Sequence, residues 1–421
     1  AFEAALDPQD ATAAGLVAQL EAASGDLRGA RATIDAARAR HPRHRGLLAQ
    51  SASIATRAHD LAAAIDGYQQ LLALHPDDGA ALSQLVFARK EAIAWHGLPA
   101  LQSRFRAGVA ARRPHLTPFS FLSDPSTRAE QRVCATTWSQ GVVAPPVGVP
   151  RGARPDPRRR MRVGYLSSDF HQHPTAVLVA GVLEAHDRDR LEVFVYSTGA
   201  DDASAMRRRV TAAPEHFIDL HGEDAQRAAA RIRDDALDVL IDLKGHTDGA
   251  PTAVLAARPA PIQAHWVGYP GTLGAPFVDY LFADRIVAPP EHATDYSEAL
   301  VWLPHAYQPN DRQRAAAGTP TRASLGLPTD AVVLAGFNAP WKFNAAVFDA
   351  WARVLAAVPD AVLWLLARSA DDPAIAHAHR EFASRGVAAA HPPIAARRAE
   401  AAAIALYGHA DLLPDTSPYH A

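Results

Sequence analysis

Residues 161–175 read MRVGYLSSDFHQHPT, which is a short apolar run followed by a polar loop and a proline that can open a helix. Three more apolar runs follow at similar spacing: LEVFVYST at 191–198, HFIDL at 216–220 and LDVLIDL at 237–243. Helix-forming stretches separate the four runs. Short apolar strands that alternate with helices predict a parallel sheet with helices on both faces.

The same alternation continues toward the C-terminus and restarts after a polar connector at residues 308–321. The further apolar runs are PIQAHWVGYPGT (261–272), VDYLFAD (278–284), ALVWLP (299–304), AVVLAGF (331–337), AVLWLLA (361–367) and ADLLPD (410–415). We therefore predict two Rossmann-like α/β lobes, at residues 158–307 and 322–421, that face each other across a cleft. Ligands in such sheets bind outside the carboxyl ends of the strands, so the loops after strands are candidate sites.

The first 112 residues are self-similar at a period of 34 residues. GDLRGARATIDAARARHP (25–42) aligns with HDLAAAIDGYQQLLALHP (59–76), and Asp7-Pro8 precedes His41-Pro42 by the same period. The prolines stop helices, the alanines allow helices to pair closely, and the leucines form a buried stripe. The pattern resembles tetratricopeptide repeats, which bind partners on a concave face. A plain helical bundle with an accidental period is the alternative.

Residues 113–157 separate the repeats from the first lobe. The sequence near the end of this segment is rich in proline and arginine: VVAPPVGVPRGARPDPRRR at 142–160. Such composition predicts a linker. Its arginines could contact phosphate groups, but a solvated tether is the simpler interpretation.

Composition excludes several classes of function. With 42 basic and 45 acidic side chains the net charge is −3, which does not favour nucleic acid or a membrane surface as the main partner. The single cysteine, Cys134, favours a cytoplasmic location and excludes a zinc site built on cysteines. We find no bilayer-spanning apolar run and no secretory signal. Only Lys90, Lys244 and Lys342 are lysines, and a lysine retained in an arginine-rich chain can mark a position that needs a compact ammonium group.

The loop after the first strand holds the first candidate site. Pro174 predicts a helix start there, with Asp169 and His173 at its N-terminal end. A carboxylate and an imidazole four residues apart could orient a hydroxyl group, take its proton or act through a water molecule. Alternatively, Asp169 only caps the helix and His173 is a surface residue. His171 and His173 could together bind a metal ion, but no third ligand stands at a recognisable spacing, so we predict no metal.

Two further loops follow predicted strands. WVGYPGTLGAP (266–276) has three glycines, which allow close approach of the backbone to a sugar or phosphate oxygen, although a simple turn is the alternative. GFNAPWKFN (336–344) leads into a helix and places Lys342 at the positive end of the helix dipole, a combination suited to a diphosphate. Asn338 and Trp341 add an amide group and a stacking surface.

The repeats together with RVGYLSSDFHQHPT (162–175), RPAPIQAHWVGYPGT (258–272), FNAPWKFN (337–344) and ADLLPDTSPYHA (410–421) resemble the O-GlcNAc transferase family in a bacterial form. This resemblance covers nearly the whole chain. It implies a glycosyltransferase-B fold, of which the second lobe is incomplete at the C-terminus of this sequence. It also implies inverting, metal-independent transfer of GlcNAc from UDP-GlcNAc to Ser or Thr hydroxyl groups of proteins.

The resemblance also assigns roles to individual residues. It implies that His173 is the active-site histidine, that Asp169 is a base or proton relay, and that Lys342 stabilises the UDP leaving group. The residues that it implies for substrate binding are Pro174, Thr175, Gly268, Tyr269, Pro270, Gly271, Asn338, Trp341 and Tyr419. The implied partners are UDP or UDP-GlcNAc and protein or peptide acceptors bound by the repeats, with no cofactor, no nucleic acid and no membrane.

The chemistry of the leaving group agrees with this assignment, since loss of a nucleoside diphosphate builds negative charge that fixed donors such as Lys342 can stabilise. The group that accepts the proton of the acceptor remains open between His173, Asp169 through water, and a phosphate oxygen. Two other functions are also open. One is O-fucosyl transfer from GDP-fucose, and the other is a repeat scaffold whose lobes do not catalyse.

Overall fold

The computed structural model of the chain describes residues 10–143, 149, 158–314, 318, 320–369, 372–387, 394–396 and 400–419. Its internal contacts divide the chain into two compact units. The first unit contains residues 1–108, 123–125 and 315–421, and the second contains residues 109–122 and 126–314. The helical repeats and the C-terminal α/β region therefore form one unit, and the central α/β region forms the other.

The described part of the chain begins at residue 10 and continues with six helices of 13 or 14 residues: α1 (Ala11–Ala23), α2 (Leu27–Arg40), α3 (Arg45–Arg57), α4 (Leu61–Leu74), α5 (Gly79–Glu91) and α6 (Leu98–Ala110). The first, third and fifth begin at a period of 34 residues, as do the second and fourth. The side chains of Asp10, His44 and Asp78 cap α1, α3 and α5 at equivalent positions. The predicted helical repeat is confirmed, although Asp7-Pro8 lies outside the described residues.

The linker predicted for residues 113–157 is wrong over its first half, where α7 (Pro118–Leu122) and α8 (Arg128–Gln140) form. The side chains and backbone amides of Thr127 and Glu130 form a reciprocal capping box that starts α8. This helix buries Cys134 and Ala135. Residues 144–148 and 150–157, which complete the predicted linker, lie outside the described residues.

The second unit contains a seven-stranded parallel sheet: β1 (Met161–Ser167), β2 (Leu191–Ser197), β3 (His216–Asp219), β4 (Val239–Asp242), β5 (Ile262–His265), β6 (Tyr280–Ala283) and β7 (Ala299–Trp302). Its helices are α9 (Pro174–Ala185), α10 (Ala205–Ala212), α11 (Ala225–Asp234) and α12 (Thr252–Ala256). Residues of α9 and α10 pack in one hydrophobic cluster, and residues of α11 and α12 pack in another. The sheet is therefore covered on both faces, as predicted.

The strand order is β3-β2-β1-β4-β5-β6-β7, so the order reverses between β1 and β4. Leu166 of β1 pairs with Asp242 of β4, and the loops that follow these two strands therefore leave the sheet side by side. In doubly wound sheets this switch point is where ligands bind.

The C-terminal part of the first unit contains three parallel strands in the order β10-β9-β8: β8 (Val332–Gly336), β9 (Ala361–Ala367) and β10 (Ile394–Ala396). Its helices are α13 (Ala345–Ala357), α14 (Pro373–Ala383) and α15 (Glu400–Tyr407). Leu412 forms a further parallel bridge with Leu334 at the β8 edge. No helix in the described part of the chain has the length and apolar character needed to cross a membrane.

Candidate active site

Asp169 forms a buried ion pair in the loop after β1. Its side chain is 7% exposed, and Nζ of Lys244 donates to Oδ1 at 2.8 Å and to Oδ2 at 2.9 Å. The hydroxyl group of Thr175 also donates to Oδ2, at 3.2 Å. The carboxylate is therefore held by a cation and a hydroxyl group at the switch point of the sheet.

His173 is the N-cap residue of α9, and Pro174 is the first residue of this helix. Nδ1 of His173 accepts a hydrogen bond from the backbone amide of Thr175 at 3.2 Å and lies 3.3 Å from Oδ2 of Asp169. The structure therefore brings together Asp169, His173 and Thr175, as predicted. The alternative in which Asp169 caps the helix is wrong, since the histidine takes that position.

Lys244 was missed by the sequence analysis as a site residue. It lies two residues after β4, its side chain is 5% exposed, and its partner Asp169 is 75 residues away in the chain. Two signals pointed to it: its position directly after a predicted strand, and the scarcity of lysine. Strand alternation alone does not reveal that β1 and β4 are neighbours.

Asp242, at the end of β4, organises the next part of the site. Its Oδ1 accepts from the amide of Lys244 at 3.1 Å, and its Oδ2 accepts from the amide of Gly245 at 2.7 Å. Nδ1 of the fully buried His265 lies 3.0 Å from Oδ2, and Nε2 of the same ring lies 2.8 Å from the carbonyl oxygen of Tyr269. Both ring nitrogens face acceptors, so both donate and the ring is cationic.

The pKa of His265 reflects these contacts. Burial disfavours the charged ring, but the hydrogen bond and charge of Asp242, together with the Tyr269 carbonyl group and the charge of Glu298, raise its pKa. The resulting imidazolium–carboxylate pair connects the loop after β5 to the loop after β4.

The predicted sugar loop follows β5 and lies against the segment that carries Lys244. Gly268 has φ +63°, and a Cβ atom there would lie 2.3 Å from the carbonyl oxygen of Leu243. Only glycine fits at this position. Tyr269 is buried, Pro270 is exposed and Gly271 is half-buried. The structure thus places Gly268 and Tyr269 against residues 243–245, the segment that carries Lys244.

His246 is a second buried histidine beside this loop. Its Nε2 atom donates to the carbonyl oxygen of Leu273 at 2.8 Å, and its ring meets that of Tyr269 edge-on at 5.2 Å. Burial lowers the pKa of His246 to about 4, so the ring is neutral at physiological pH. Its Nδ1 atom is buried and has no hydrogen-bond partner among the described residues.

The other predicted residues assemble in the first unit. Lys342 ends a 3-10 helix (Pro340–Lys342), and its Nζ atom lies 5.5 Å from the ring centroid of Trp341 and 4.9 Å from that of Tyr419. The two aromatic rings meet edge-on at 4.7 Å. The structure therefore brings Lys342, Trp341 and Tyr419 together, and Asn338 lies half-buried in the same loop after β8.

The position of Lys342 is fixed by its neighbours in the chain. Asn344 caps α13 through Oδ1, which accepts from the amide of Val347 at 3.0 Å, and its Nδ2 atom donates to the carbonyl oxygen of Ser417 at 2.5 Å. Burial lowers the pKa of Lys342, and the charge of Asp415 acts in the opposite direction. A partly desolvated ammonium group interacts strongly with an incoming anion.

His171 and His173, which were considered together as metal ligands, have ring centroids 5.6 Å apart. Nδ1 of His171 lies 3.8 Å from Oδ2 of Asp202. Within the described residues, no group of three or more His, Cys, Asp and Glu side chains is arranged to hold a metal ion.

Comparison with known proteins gives a family. A profile of glycosyl transferase family 41 matches residues 145–317 and 311–395, more than half of the chain. Among solved structures, the O-GlcNAc transferase of Thermobaculum terrenum, in a lysine-to-methionine mutant form, aligns with a TM-score of 0.78 and 25% identity. The alignment covers 98% of this chain and 79% of that chain. It confirms the predicted fold of helical repeats followed by Rossmann-like lobes.

Two sequence relatives carry transferase names. The probable UDP-N-acetylglucosamine–peptide N-acetylglucosaminyltransferase SEC of Arabidopsis thaliana is 39% identical over 214 residues, which is 49% of this chain and 22% of that protein. The UDP-N-acetylglucosamine–peptide N-acetylglucosaminyltransferase of Caenorhabditis elegans is 41% identical over 150 residues, which is 35% of this chain and 13% of that protein. The matched part of the chain thus spans less than a quarter of the length of these relatives.

Proposed function

The chain belongs to glycosyl transferase family 41, and from this premise we propose that it transfers GlcNAc from UDP-GlcNAc to a Ser or Thr hydroxyl group of a protein. The transfer inverts the anomeric centre and uses no metal ion. The names of the relatives support the donor and the peptide acceptor. The single cysteine of the chain supports a cytoplasmic location.

The observation that carries the proposal is the environment of Lys342. Its ammonium group lies near the rings of Trp341 and Tyr419 at the loop that leads into α13. As the bond from the sugar to UDP breaks, negative charge grows on the β-phosphate. A fixed, partly desolvated cation stabilises this charge more in the transition state than in the ground state, which is the condition for catalysis.

The groups of the second unit suit the other half of the reaction. Asp169, Lys244 and His173 lie at the carboxyl edge of the sheet, at the point where strand order reverses. We assign to His173 a direct contact with substrate and to Asp169 the positioning of that ring. The loop Gly268–Gly271 offers backbone groups for a sugar, since Gly268 keeps its backbone free of a side chain.

We assign acceptor binding to the helical repeats. A groove of about 180 Å³ lies between α2, α3 and α4, and its charged lining residues are Arg31, Asp35, Arg38 and Asp66. Mixed charges beside the apolar Ile34 and Ile54 suit an extended peptide with polar side chains. Such a groove lets the protein select acceptors through residues other than those assigned to the donor.

The proposal is tested by the transfer of labelled GlcNAc from UDP-GlcNAc to proteins of the source cell, with Lys342→Ala as the test variant. We expect the rate to fall by about 10²-fold or more, the loss typical for removal of one oxyanion donor. Lys342→Arg is the matched control, because it keeps the charge and recovers part of the rate. Chelation with EDTA should leave the rate unchanged. A Lys342→Ala rate equal to that of the wild type would contradict the leaving-group role.

Ligand-induced thermal shifts separate the remaining alternatives. A ligand present at about 100 times its Kd stabilises the folded state by about 2.7 kcal/mol, which is visible as a rise in Tm. UDP and UDP-GlcNAc should each raise Tm, and the rise should be lost in Lys342→Ala. Preferential stabilisation by GDP and GDP-fucose would instead favour fucosyl transfer. Absence of any shift, together with absence of transfer, would favour the scaffold.

A further inference from the structure

The Asp169 carboxylate accepts hydrogen bonds from two side chains before any contribution of His173. Oδ2 already accepts from Nζ of Lys244 at 2.9 Å and from the hydroxyl group of Thr175 at 3.2 Å, and Oδ1 accepts from Lys244 at 2.8 Å. The charge of the carboxylate is therefore offset by a buried ammonium group. The negative charge left at Oδ2 attracts a proton on Nδ1 of His173 only weakly, although the two atoms are 3.3 Å apart.

Nδ1 of His173 faces a donor as well as this acceptor. The backbone amide of Thr175 points at it at 3.2 Å and needs an acceptor, since it belongs to the first turn of α9. Nδ1 has one lone pair in the plane of the ring. It can either accept the hydrogen bond from the amide of Thr175 or carry a proton, but it cannot do both. The state of His173 is therefore decided by competition between the amide of Thr175 and the carboxylate of Asp169.

We propose that Lys244 is a positioning residue that decides this competition, and that it holds neutral His173 in the tautomer with its proton on Nε2. In this tautomer His173 donates a hydrogen bond to substrate, and Nε2 cannot act as the general base. The inference deepens the proposed function and rests on it for its catalytic meaning. Of the three proton acceptors left open by the sequence, it removes His173.

Two further titratable groups, His171 and Asp202, lie on the same side of the sheet. His171, from the same loop, has its ring centroid 5.6 Å from that of His173 and turns Nδ1 toward Asp202 in the loop after β2. Asp202 also accepts from the backbone amide of Gln172 at 2.9 Å. Asp169 lies 3.3 Å from Nδ1 and Lys244 pairs with that carboxylate, so removal of Lys244 leaves a buried carboxylate beside the titratable ring of His173.

The tautomer can be measured on the full chain by NMR of protein labelled with ¹⁵N-histidine, at a pH of about 8, above the ordinary titration range of histidine. Loss of signals in His173→Gln identifies those of His173. We expect the wild type to show the proton on Nε2. In Lys244→Met, most of the His173 population should move its proton to Nδ1 or carry protons on both nitrogens. A proton on Nδ1 in the wild type, or an unchanged spectrum in Lys244→Met, would overturn the proposal.

Lys90→Met is the matched control, because Lys90 and Asp124 form another buried ion pair, with side chains 4% and 3% exposed. It imposes a similar loss of stability and should leave the His173 signals in place. The double variant Lys244→Met/Asp169→Asn avoids an unpaired buried charge and should return the proton to Nε2. It also covers the case in which Lys244→Met does not fold. Because the tautomer is read without substrate, failure to detect GlcNAc transfer would count against the proposed function alone.

Discussion

Phe87, on helix α5 of the repeats, packs against Trp341, with ring centroids 5.7 Å apart. The same end of the repeats makes two polar contacts to the C-terminal α/β region. Arg368 donates to Oε1 of Glu91 at 2.8 Å, and Nδ1 of His377 lies 2.5 Å from the carbonyl oxygen of Ala92. The repeats therefore support the loop that carries Lys342, in addition to any role in binding acceptors.

Phe87→Ala should weaken UDP binding by about threefold to tenfold. An aromatic pair contributes about 0.5–1.5 kcal/mol beyond the area that it buries, and its loss frees the Trp341 ring that lies beside Lys342. Isothermal titration calorimetry with UDP measures the effect. Glu91→Gln is the control, because it removes the charge that pairs with Arg368 but leaves the two rings in place, and its Kd should stay near the wild-type value. Equal Kd values for the wild type and Phe87→Ala would contradict a supporting role of the repeats.

Gly268→Ala should reduce both stability and GlcNAc transfer. The position has φ +63°, and the added Cβ would lie 2.3 Å from the carbonyl oxygen of Leu243, so the sugar loop must move away from the segment that carries Lys244. Gly222→Ala is a matched control, because Gly222 has φ +79° and a methyl group added there would meet no described atom within 4 Å. Both variants carry the backbone penalty of about 1–2 kcal/mol. Only Gly268→Ala should lose activity, and similar activities for the two variants would show that close approach is unimportant.

Lys90→Met should destabilise the protein by about 3–5 kcal/mol, as expected when one partner of a buried ion pair is removed. Lys90 donates to Oδ1 of Asp124 at 3.1 Å and to the hydroxyl group of Ser123 at 2.6 Å, so its removal takes away the buried ammonium group that pairs with this carboxylate. Urea unfolding measures the loss. Lys90→Met/Asp124→Leu should recover much of it. Arg227→Met breaks an exposed pair with Asp224, whose side chains are 80% and 62% exposed, and should cost less than about 1 kcal/mol.

All three lysines of the chain, Lys90, Lys244 and Lys342, occupy special environments. Lysine is scarce in the chain, which singled out Lys342, and its ammonium group lies beside the rings of Trp341 and Tyr419. Lys90 and Lys244 are both buried against carboxylates, so the same argument applied to all three would have found them. It could not name their partners, because Asp169 and Lys244 meet only through the pairing of β1 with β4.

The fold was predictable where the pattern is periodic. The 34-residue period places the starts of α1, α3 and α5, and each apolar run of the α/β regions contains a strand or, at Leu412, a single bridge. The sequence predicted a linker where α7 and α8 form. The proline- and arginine-rich segment that follows these helices dominated that prediction, and the capping pattern of Thr127 and Glu130 was not recognised. The order of the strands in the sheet could not be predicted from the sequence. The alternation of strands and helices indicates parallel strands but does not determine which strands become neighbours.

His246 should make the protein less stable in acid. Its pKa falls from 6.5 to about 4 on folding, so the unfolded state binds one more proton than the folded state between these two values. Stability is then fully present above a pH of about 6.5 and declines as the pH falls toward 4, by up to about 3 kcal/mol. His246→Asn removes this term. Urea unfolding at pH values between about 4.5 and 7.5 should therefore show a flatter acid limb for the variant than for the wild type.

His265, the last residue of β5, supplies a control of opposite sign. Its pKa is raised on folding, so its contribution to stability is fully present below the unfolded pKa of 6.5 and is lost as the pH rises through the folded value. His265→Asn should therefore leave the slope of the acid limb unchanged and remove a decline in stability that the wild type shows above a pH of about 6.5, whereas His246→Asn flattens the acid limb. A decline above a pH of about 6.5 that is as steep in His265→Asn as in the wild type would show that the Asp242 contact does not keep His265 cationic. A flatter acid limb in both variants would point to general loosening of the sugar loop instead.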